Sequence, residues 1–332
     1  MPPIFVPVLP TDAEAVERSR YFKVSIIGKG GVGKTQLLTT LPVKWTDPKN
    51  GGAVCKPFAD GAVWESDFYP LAVVDVDNKA LTLPALLPFR EARMIDVYPV
   101  HSPLVDSTDR RARAWQKAMA ASIPAGYLEC VDICNFVAGE TREKERCPVR
   151  YKTICLDTFS RMLEHLQRVA EKIQGIPDMS GWHWRKYSGL IEEFISGFIT
   201  KARNHVIVNC HILEKSVIKD DKEVIIWKPA IGGEKRDSYV AYFNEAYFMY
   251  AQGVSGGGIG HRLTARVSEK FPCRTSIIGL PEKWSASDRS VETRGSEGKA
   301  VTEADALGGL ALPISLWRKQ MEAKGIRVTQ KV

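Results

Sequence analysis

Lys23-Val-Ser-Ile-Ile-Gly28-Lys29-Gly30-Gly31-Val32-Gly33-Lys34-Thr35 is the stretch that decides the fold. An apolar β-type run enters a loop with four glycines, and 36–41 continues as a short helical stretch that Pro42 ends. Positions 28–35 match G-x-x-x-x-G-K-[ST], and the strand–loop–helix context separates such a match from a chance one. The glycines let the main chain wrap closely, with N–H groups pointing inward at a helix N-terminus, a ready anion site. Gly28, Lys29, Gly30, Gly31, Val32, Gly33, Lys34 and Thr35 are therefore expected to cradle a nucleotide's phosphates. In such a loop Lys34 bridges the β- and γ-phosphates and the Thr35 hydroxyl ligates magnesium, so ATP and Mg2+ are the expected cofactors.

Outward from this loop, short apolar runs at 21–27, 71–76, 94–100, 151–156 and 205–210 read as strands. They alternate with helical patterns, as in an α/β domain with a mostly parallel central sheet flanked by helices. In 160–174, Met162, Leu163, Leu166, Val169, Ala170 and Ile173 share one face at 3.6 spacing. In 185–203, Leu190, Ile191, Phe194, Ile195, Phe198, Ile199 and Ala202 do the same. After Cys210 the pattern turns to hairpins, 216–219 with 223–227 and 245–251 with 262–267, so the sheet is expected to end in antiparallel hairpins at its C-terminal edge. No internal repeat is present. The division read from this is an N-terminal arm at 1–20, a core at 21–284, and a linker and tail at 285–332 with a short helix after Pro313. That tail either docks on the core or binds a partner.

Two strand ends carry acids. Tyr151-Lys-Thr-Ile-Cys-Leu-Asp157-Thr158 ends in a carboxylate suited to holding magnesium; the same Asp157 could instead cap the following helix. In Val73-Val-Asp75-Val-Asp77, one carboxylate would orient the attacking water, or both would form a turn. His211 follows Val206-Ile-Val-Asn-Cys and falls at the same sheet edge, where it either senses the γ-phosphate or serves the structure.

The 332 residues include 44% hydrophobic and 26% charged, which suits a globular protein with a real core. No apolar run approaches the ~20 residues of a membrane helix, and Met-Pro-Pro-Ile-Phe-Val lacks a basic lead, so a cytoplasmic protein without a membrane partner is expected. The net charge of +7 permits a polyanionic partner without requiring one. Cys155 and Cys210 sit in apolar strands; Cys55, Cys130, Cys134 and Cys147 lack the paired C-x-x-C spacing and a nearby His, so free thiols are the simpler reading than zinc ligands.

With these pieces in order, residues 21–284 resemble the RecA-like P-loop ATPases of phage recombination, especially the Sak-type single-strand annealing group. The resemblance is carried by positions 28–35, Leu71-Ala-Val-Val-Asp-Val-Asp-Asn78, Thr153-Ile-Cys-Leu-Asp-Thr158, Val206-Ile-Val-Asn-Cys-His211, Arg262-Leu-Thr-Ala-Arg266 and Phe271-Pro-Cys-Arg274. It implies a RecA-like P-loop NTPase fold and a slow, DNA-stimulated ATPase. Asp157 takes the place of the magnesium-positioning aspartate, and His211 that of the polar residue coupling the γ-phosphate to DNA loops. Asp77 falls where a catalytic glutamate is usual, one methylene shorter. Such proteins form rings or filaments in which a neighbour supplies positive charge at the ATP; Lys270 and Arg274, and less clearly Arg262 and Arg266, are candidates for that role. The implied partners are single-stranded DNA, further copies of the chain, and a single-strand-binding protein through the C-terminal tail.

Two segments offer DNA contacts. Trp182-His-Trp184-Arg185-Lys186-Tyr187 interleaves aromatic and basic residues as a base-stacking loop would, unless its aromatics seat the next helix on the core. The stretch 215–236 carries Lys215, Lys219, Lys222, Trp227, Lys228, Lys235 and Arg236 on and after a hairpin, which a solvated surface would also explain. The rival to all this is a ParA/MinD-type dimeric switch: Lys29-Gly-Gly-Val-Gly-Lys34-Thr35 resembles that family's loop, in which Lys29 would reach across a dimer. Against it, Gln36 replaces the usual second hydroxyl residue, and Phe-Ser follows Asp157-Thr158 where prolines are usual. A nucleotide-gated DNA-binding module with vestigial hydrolysis is the remaining alternative.

Overall fold

The computed structural model describes residues 20–100, 125–139, 147–173, 181–219, 222–232, 239–253, 259–266, 273–286, 308–326 and 328. The strands are β1 (Lys23–Gly28), β2 (Lys44–Asp47), β3 (Ala53–Val54), β4 (Val63–Glu65), β5 (Leu71–Asp75), β6 (Ile95–Pro99), β7 (Thr153–Asp157), β8 (His205–Cys210), β9 (Ile212–Lys219), β10 (Lys222–Pro229), β11 (Glu245–Gly253), β12 (Ile259–Thr264) and β13 (Lys283–Ser285). The α-helices are α1 (Leu87–Glu91), α2 (Ala125–Ala138), α3 (Phe159–Ile173), α4 (Gly181–Phe194) and α5 (Ala311–Ala323).

The main sheet has eight strands in the order β13-β12-β11-β1-β8-β7-β5-β6. From β11 to β6 every pairing is parallel, and β12 and β13 add an antiparallel edge. The fold is therefore mixed α/β with a large, mostly parallel sheet. β1, β5, β7 and β8 are buried throughout, which is why their sequences read as unbroken apolar runs rather than alternating ones. Alternate residues then face two cores. Ile27, Val74, Leu156 and Val208 pack with α2, α3 and α4; Ile26, Val73, Cys155 and Ile207 pack with the short helix after the glycine loop and with α5.

Leaving β1, the chain crosses to β5 and β6, returns through β7 and β8, and then places β11 on the other side of β1. The strand order thus reverses beside β1. Crevices outside the carboxyl ends of strands at such a reversal are where open α/β sheets bind ligands.

Several expectations change. The helix after the glycine loop is a 3-10 turn, Thr35–Thr40. The expected 185–203 helix begins at Gly181 and gives way to a π-turn, Ile195–Ile199, in which Thr200 N–H reaches back five residues to Ile195 O at 2.9 Å. Ser196 and Gly197, both weaker helix formers than Ala, occupy that turn. The first hairpin, β9–β10, forms a two-stranded sheet separate from the main one, and β11 pairs parallel to β1 before antiparallel pairing starts at β12. A three-stranded sheet, β3-β2-β4, is inserted between the 3-10 turn and β5.

The tail helix α5 begins before Pro313, because a proline in the first turn forfeits no intrahelical hydrogen bond. It packs into the core: Trp317 lies against Phe22 and His205, and Arg318 pairs with Asp67 at 2.6 Å while lying over the Phe68 ring. No helix among the described residues is long and apolar enough to cross a membrane.

Candidate functional site

The glycine loop leaves β1 where there is no room for a side chain. A Cβ on Gly28 would lie 2.5 Å from Met249 O on β11, so only glycine lets β1 turn outward there. Gly31 and Gly33 hold φ of +78° and +88°, the left-handed region that glycine enters without steric cost. The loop so formed folds back on its own lysine. Lys34 is 5% exposed, and its ammonium donates to Gly28 O at 3.0 Å and Lys29 O at 2.7 Å, and lies 3.3 Å from His211 Nδ1. Burial lowers the Lys34 pKa from its ordinary value, opposed by the nearby acidic groups of Asp157, Cys210 and Asp77.

Thr35 opens the 3-10 turn and donates its hydroxyl to Asp157 Oδ2 at 2.5 Å. The other carboxylate oxygen, Asp157 Oδ1, accepts from Asn209 Nδ2 at 2.9 Å. Asp157 is 3% exposed, and burial pushes its pKa up even though both hydrogen bonds and the Lys34 charge favour the ionised form. The Asp157–Thr158 peptide is cis, and Asp157 O accepts from Val76 N at 2.6 Å and Asp77 N at 3.3 Å. These two main-chain bonds tie the end of β7 to the turn that follows β5.

That turn separates the two acids that the sequence leaves open. Asp75 is fully buried and accepts Ala80 N–H at 2.7 Å through Oδ2, closing the turn; burial raises its pKa. Asp77 faces the site instead. Its Oδ2 lies 3.3 Å from His211 Nε2, and its Oδ1 accepts from Thr158 Oγ1 at 3.4 Å. Burial alone would raise the Asp77 pKa. The hydrogen bond from His211, with the charges of Lys79 and Arg161 beyond, brings it below the ordinary value. His211 is fixed through its backbone, whose N–H donates to Ser160 Oγ at 2.8 Å.

Lys34, Thr35, Asp77, Asp157 and His211 therefore converge where β1, β5, β7 and β8 end. Asn209, Thr158 and Ser160 support them and were not anticipated. Asn209 alone had a sequence signal: an amide inside the apolar run Val206-Ile-Val-Asn-Cys.

The donor set suits a magnesium–nucleotide. A hydroxyl and one carboxylate are the small oxygen set Mg2+ takes when phosphate and water complete its octahedron. Asn209 Oδ1 is buried without a partner among the described residues, on the side of the amide turned away from Asp157.

The remaining candidates scatter. Lys29 is exposed and pairs with Glu214 of β9 at 2.5 Å, and Glu214 also accepts from Trp227 Nε1 at 3.0 Å. The hairpin continues directly from His211. By its register, Lys215 pairs with Ile226, Val217 with Val224 and Leu213 with Lys228 on one face; Glu214–Trp227, Ser216–Ile225 and Ile218–Glu223 lie on the other. Lys219 and Lys222 pair at its turn; their side chains lie outside the described residues, as do Lys235 and Arg236 altogether.

The segment from Trp182 to Tyr187 is the start of helix α4, not a loop, and Tyr187 is buried against the core as the seating of that helix requires. Arg185 is exposed; the side chains of Trp184 and Lys186 lie outside the described residues. Among the trans candidates, Lys270 also lies outside them. Arg274 is exposed and donates to Ala241 O at 2.8 Å, Arg266 is 3.7 Å from Glu282, and Arg262 is half-buried on β12.

No protein-family model matches the chain, and no curated protein matches it in sequence. Among solved structures it is similar to the flagellar accessory protein FlaH from Methanocaldococcus jannaschii, at 10% identity over 73% of this chain and 76% of that one, with a TM-score of 0.30.

Proposed function

We propose that the chain is a RecA-like ATPase that binds ATP and Mg2+ on residues 28–35, binds single-stranded DNA as an oligomer, and pairs complementary strands. One observation carries the nucleotide part: the Thr35 hydroxyl and the Asp157 carboxylate meet at 2.5 Å beside a buried Lys34 whose donors line the same loop. The loop amides and Lys34 would hold the phosphates, and Thr35 and Asp157 the metal. Magnesium in that position supplies charge neutralisation of the β- and γ-phosphates. Asn209 keeps Asp157 turned toward Thr35.

The DNA part rests on continuity. His211, within reach of Lys34 and Asp77, is followed immediately by a hairpin whose register gathers Lys215 and Lys228 on one face. A change at the phosphate can thus be passed to a basic surface through one peptide bond. The position of β8, carrying His211 between β1 and β7, favours the RecA-like reading over the ParA/MinD-type switch.

The test is fluorescence anisotropy of labelled single- and double-stranded oligonucleotides, with and without magnesium and a non-hydrolysable ATP analogue. The expected result is single-strand preference that strengthens with nucleotide and is abolished in Lys34→Ala. Binding to duplex alone, or to neither, would overturn the recombination reading.

A further inference from the structure

We propose that Asp77 acts through His211, and that His211 Nδ1, rather than the Asp77 carboxylate, accepts the proton of the attacking water. The proposal rests on the nucleotide-site reading above and assigns the base within it.

Both oxygens of Asp77 are engaged, Oδ2 with His211 Nε2 and Oδ1 with the Thr158 hydroxyl. With Asp77 on its Nε2 and Lys34 on its Nδ1, the His211 ring stands between the carboxylate and the loop lysine. A lysine ammonium only donates and a carboxylate only accepts. Lys34 lies 3.3 Å from Nδ1 and Asp77 3.3 Å from Nε2. These neighbours place the ring proton on Nε2, directed at Asp77, and leave the Nδ1 lone pair facing the loop. Gly30 lies beside the ring, where a Cβ would reach ordinary contact with His211 Cε1 at 3.9 Å. When the Lys34 ammonium turns to a phosphate, Nδ1 loses its partner and becomes an acceptor beside the reacting group. A shortened acid in the usual glutamate position is then no defect, because the imidazole supplies the missing reach.

The step balances. The water oxygen bonds to the γ-phosphorus while the bond from that phosphorus to the bridging oxygen breaks, and its electron pair leaves with ADP. The water's proton passes to Nδ1. Asp77 stabilises the resulting imidazolium through Nε2–H, and the proton then leaves to solvent.

Two measurements test this. The first is 15N NMR of histidine-labelled, nucleotide-free protein, with His211→Gln identifying the resonances. An Nε2–H tautomer at His211 is expected, with the Lys34 ammonium on Nδ1; an Nδ1–H tautomer in the parent overturns the dyad. The second pairs the affinity for a fluorescent ATP analogue with single-turnover hydrolysis. General-base catalysis contributes ~100- to 10,000-fold, so Asp77→Asn and His211→Gln should each slow hydrolysis by at least ~100-fold while affinity stays within about threefold. The double variant should be no slower than the singles, Asp77→Glu should stay slow, and imidazole in solution should restore part of the rate to His211→Gly. Multiplying effects in the double variant, or wild-type turnover in Asp77→Glu, would return the base to Asp77 and overturn the proposal. A parent protein that binds ATP without hydrolysing it overturns the dyad alone. One that binds no ATP overturns the site reading with it.

Discussion

Asp157 is 3% exposed and held by hydrogen bonds to both carboxylate oxygens, whereas Ile218, on the hairpin leaving the same sheet edge, is 81% exposed. Leu213 and Ile225 on that hairpin are 45% and 50% exposed. The two regions are joined at His211 and bridged by the Lys29–Glu214 pair. The sheet edge fixes groups whose geometry must be held closely, at the cost of desolvating charge. The hairpin leaves Leu213, Ile218 and Ile225 largely exposed, and reaches the core mainly through Trp227, stacked on Phe248. On the proposed function, preorganised chemistry and DNA contact would fall in different physical regimes, and the residues between them are where a signal would pass.

The largest break of this contrast lies on the buried side. Lys34→Ala removes donors that would face phosphate, and charged hydrogen bonds are worth about 1.5–3 kcal/mol each. Isothermal calorimetry should therefore show ATP affinity lower by roughly 100-fold or more. Next comes Asp157→Asn, whose two effects should have opposite signs. Removing a buried charge with a raised pKa should hold or raise the melting temperature of the nucleotide-free protein, while magnesium-dependent nucleotide binding is abolished. The pH dependence has a definite sign. Folded Asp157 keeps its proton to higher pH than the unfolded chain does, so it makes stability fall as pH rises between the ordinary Asp value of 3.8 and its higher folded one. Melting curves of Asp157→Asn should lack that contribution.

On the exposed side, Lys215→Glu with Lys228→Glu should weaken single-stranded DNA binding and reduce its salt slope by about 0.7 for each phosphate no longer neutralised. ATP affinity should be unchanged; if it falls equally, the two regions are one functional unit and the contrast is wrong. The smallest effect belongs to Lys29→Ala. An exposed ion pair is worth about 0–1 kcal/mol, so stability and ATP turnover should stay close to the parent's. A fall in turnover together with dissociation of a dimer, measured by sedimentation, would restore the ParA/MinD-type reading.

Much of the buried region was legible in the sequence because parallel strands impose a common edge. Once 21–27, 71–76, 151–156 and 205–210 read as buried strands, their following polar residues, including Asp77, Asp157 and His211, had to emerge on one side. What the sequence withholds is register. Asn209 meets Asp157 only because β7 and β8 pair with Leu156 opposite Val208, one step earlier. The Asp77–His211 contact spans 134 positions, and no local pattern announces it. The β3-β2-β4 sheet was missed because its strands are two to four residues long and mostly exposed, leaving no run to detect. Helix α2 did carry a signal: Tyr127, Cys130, Cys134 and Val137 share one buried face, but cysteine spacing was weighed as a question of thiol or ligand rather than as a helical period. The aromatic spacing at 182–187 is consistent with either a loop or a helix, and the burial of Tyr187 decides for the helix.

Thr40, the last residue of the 3-10 turn behind the glycine loop, accepts the Leu310 N–H at 2.9 Å while donating to Leu37 O. Gly309 fits against it only because it lacks a Cβ, which would overlap the Thr40 hydroxyl, and Trp284 Nε1 donates to Gly309 O at 2.8 Å. The brace for the loop's helix thus lies 270 positions downstream. At about 5–20 residues per second of synthesis, the ribosome delivers the glycine loop roughly 15–50 seconds before the segment that steadies it. The nascent chain therefore carries the 3-10 turn behind its glycine loop unbraced until Gly309 and Leu310 have emerged.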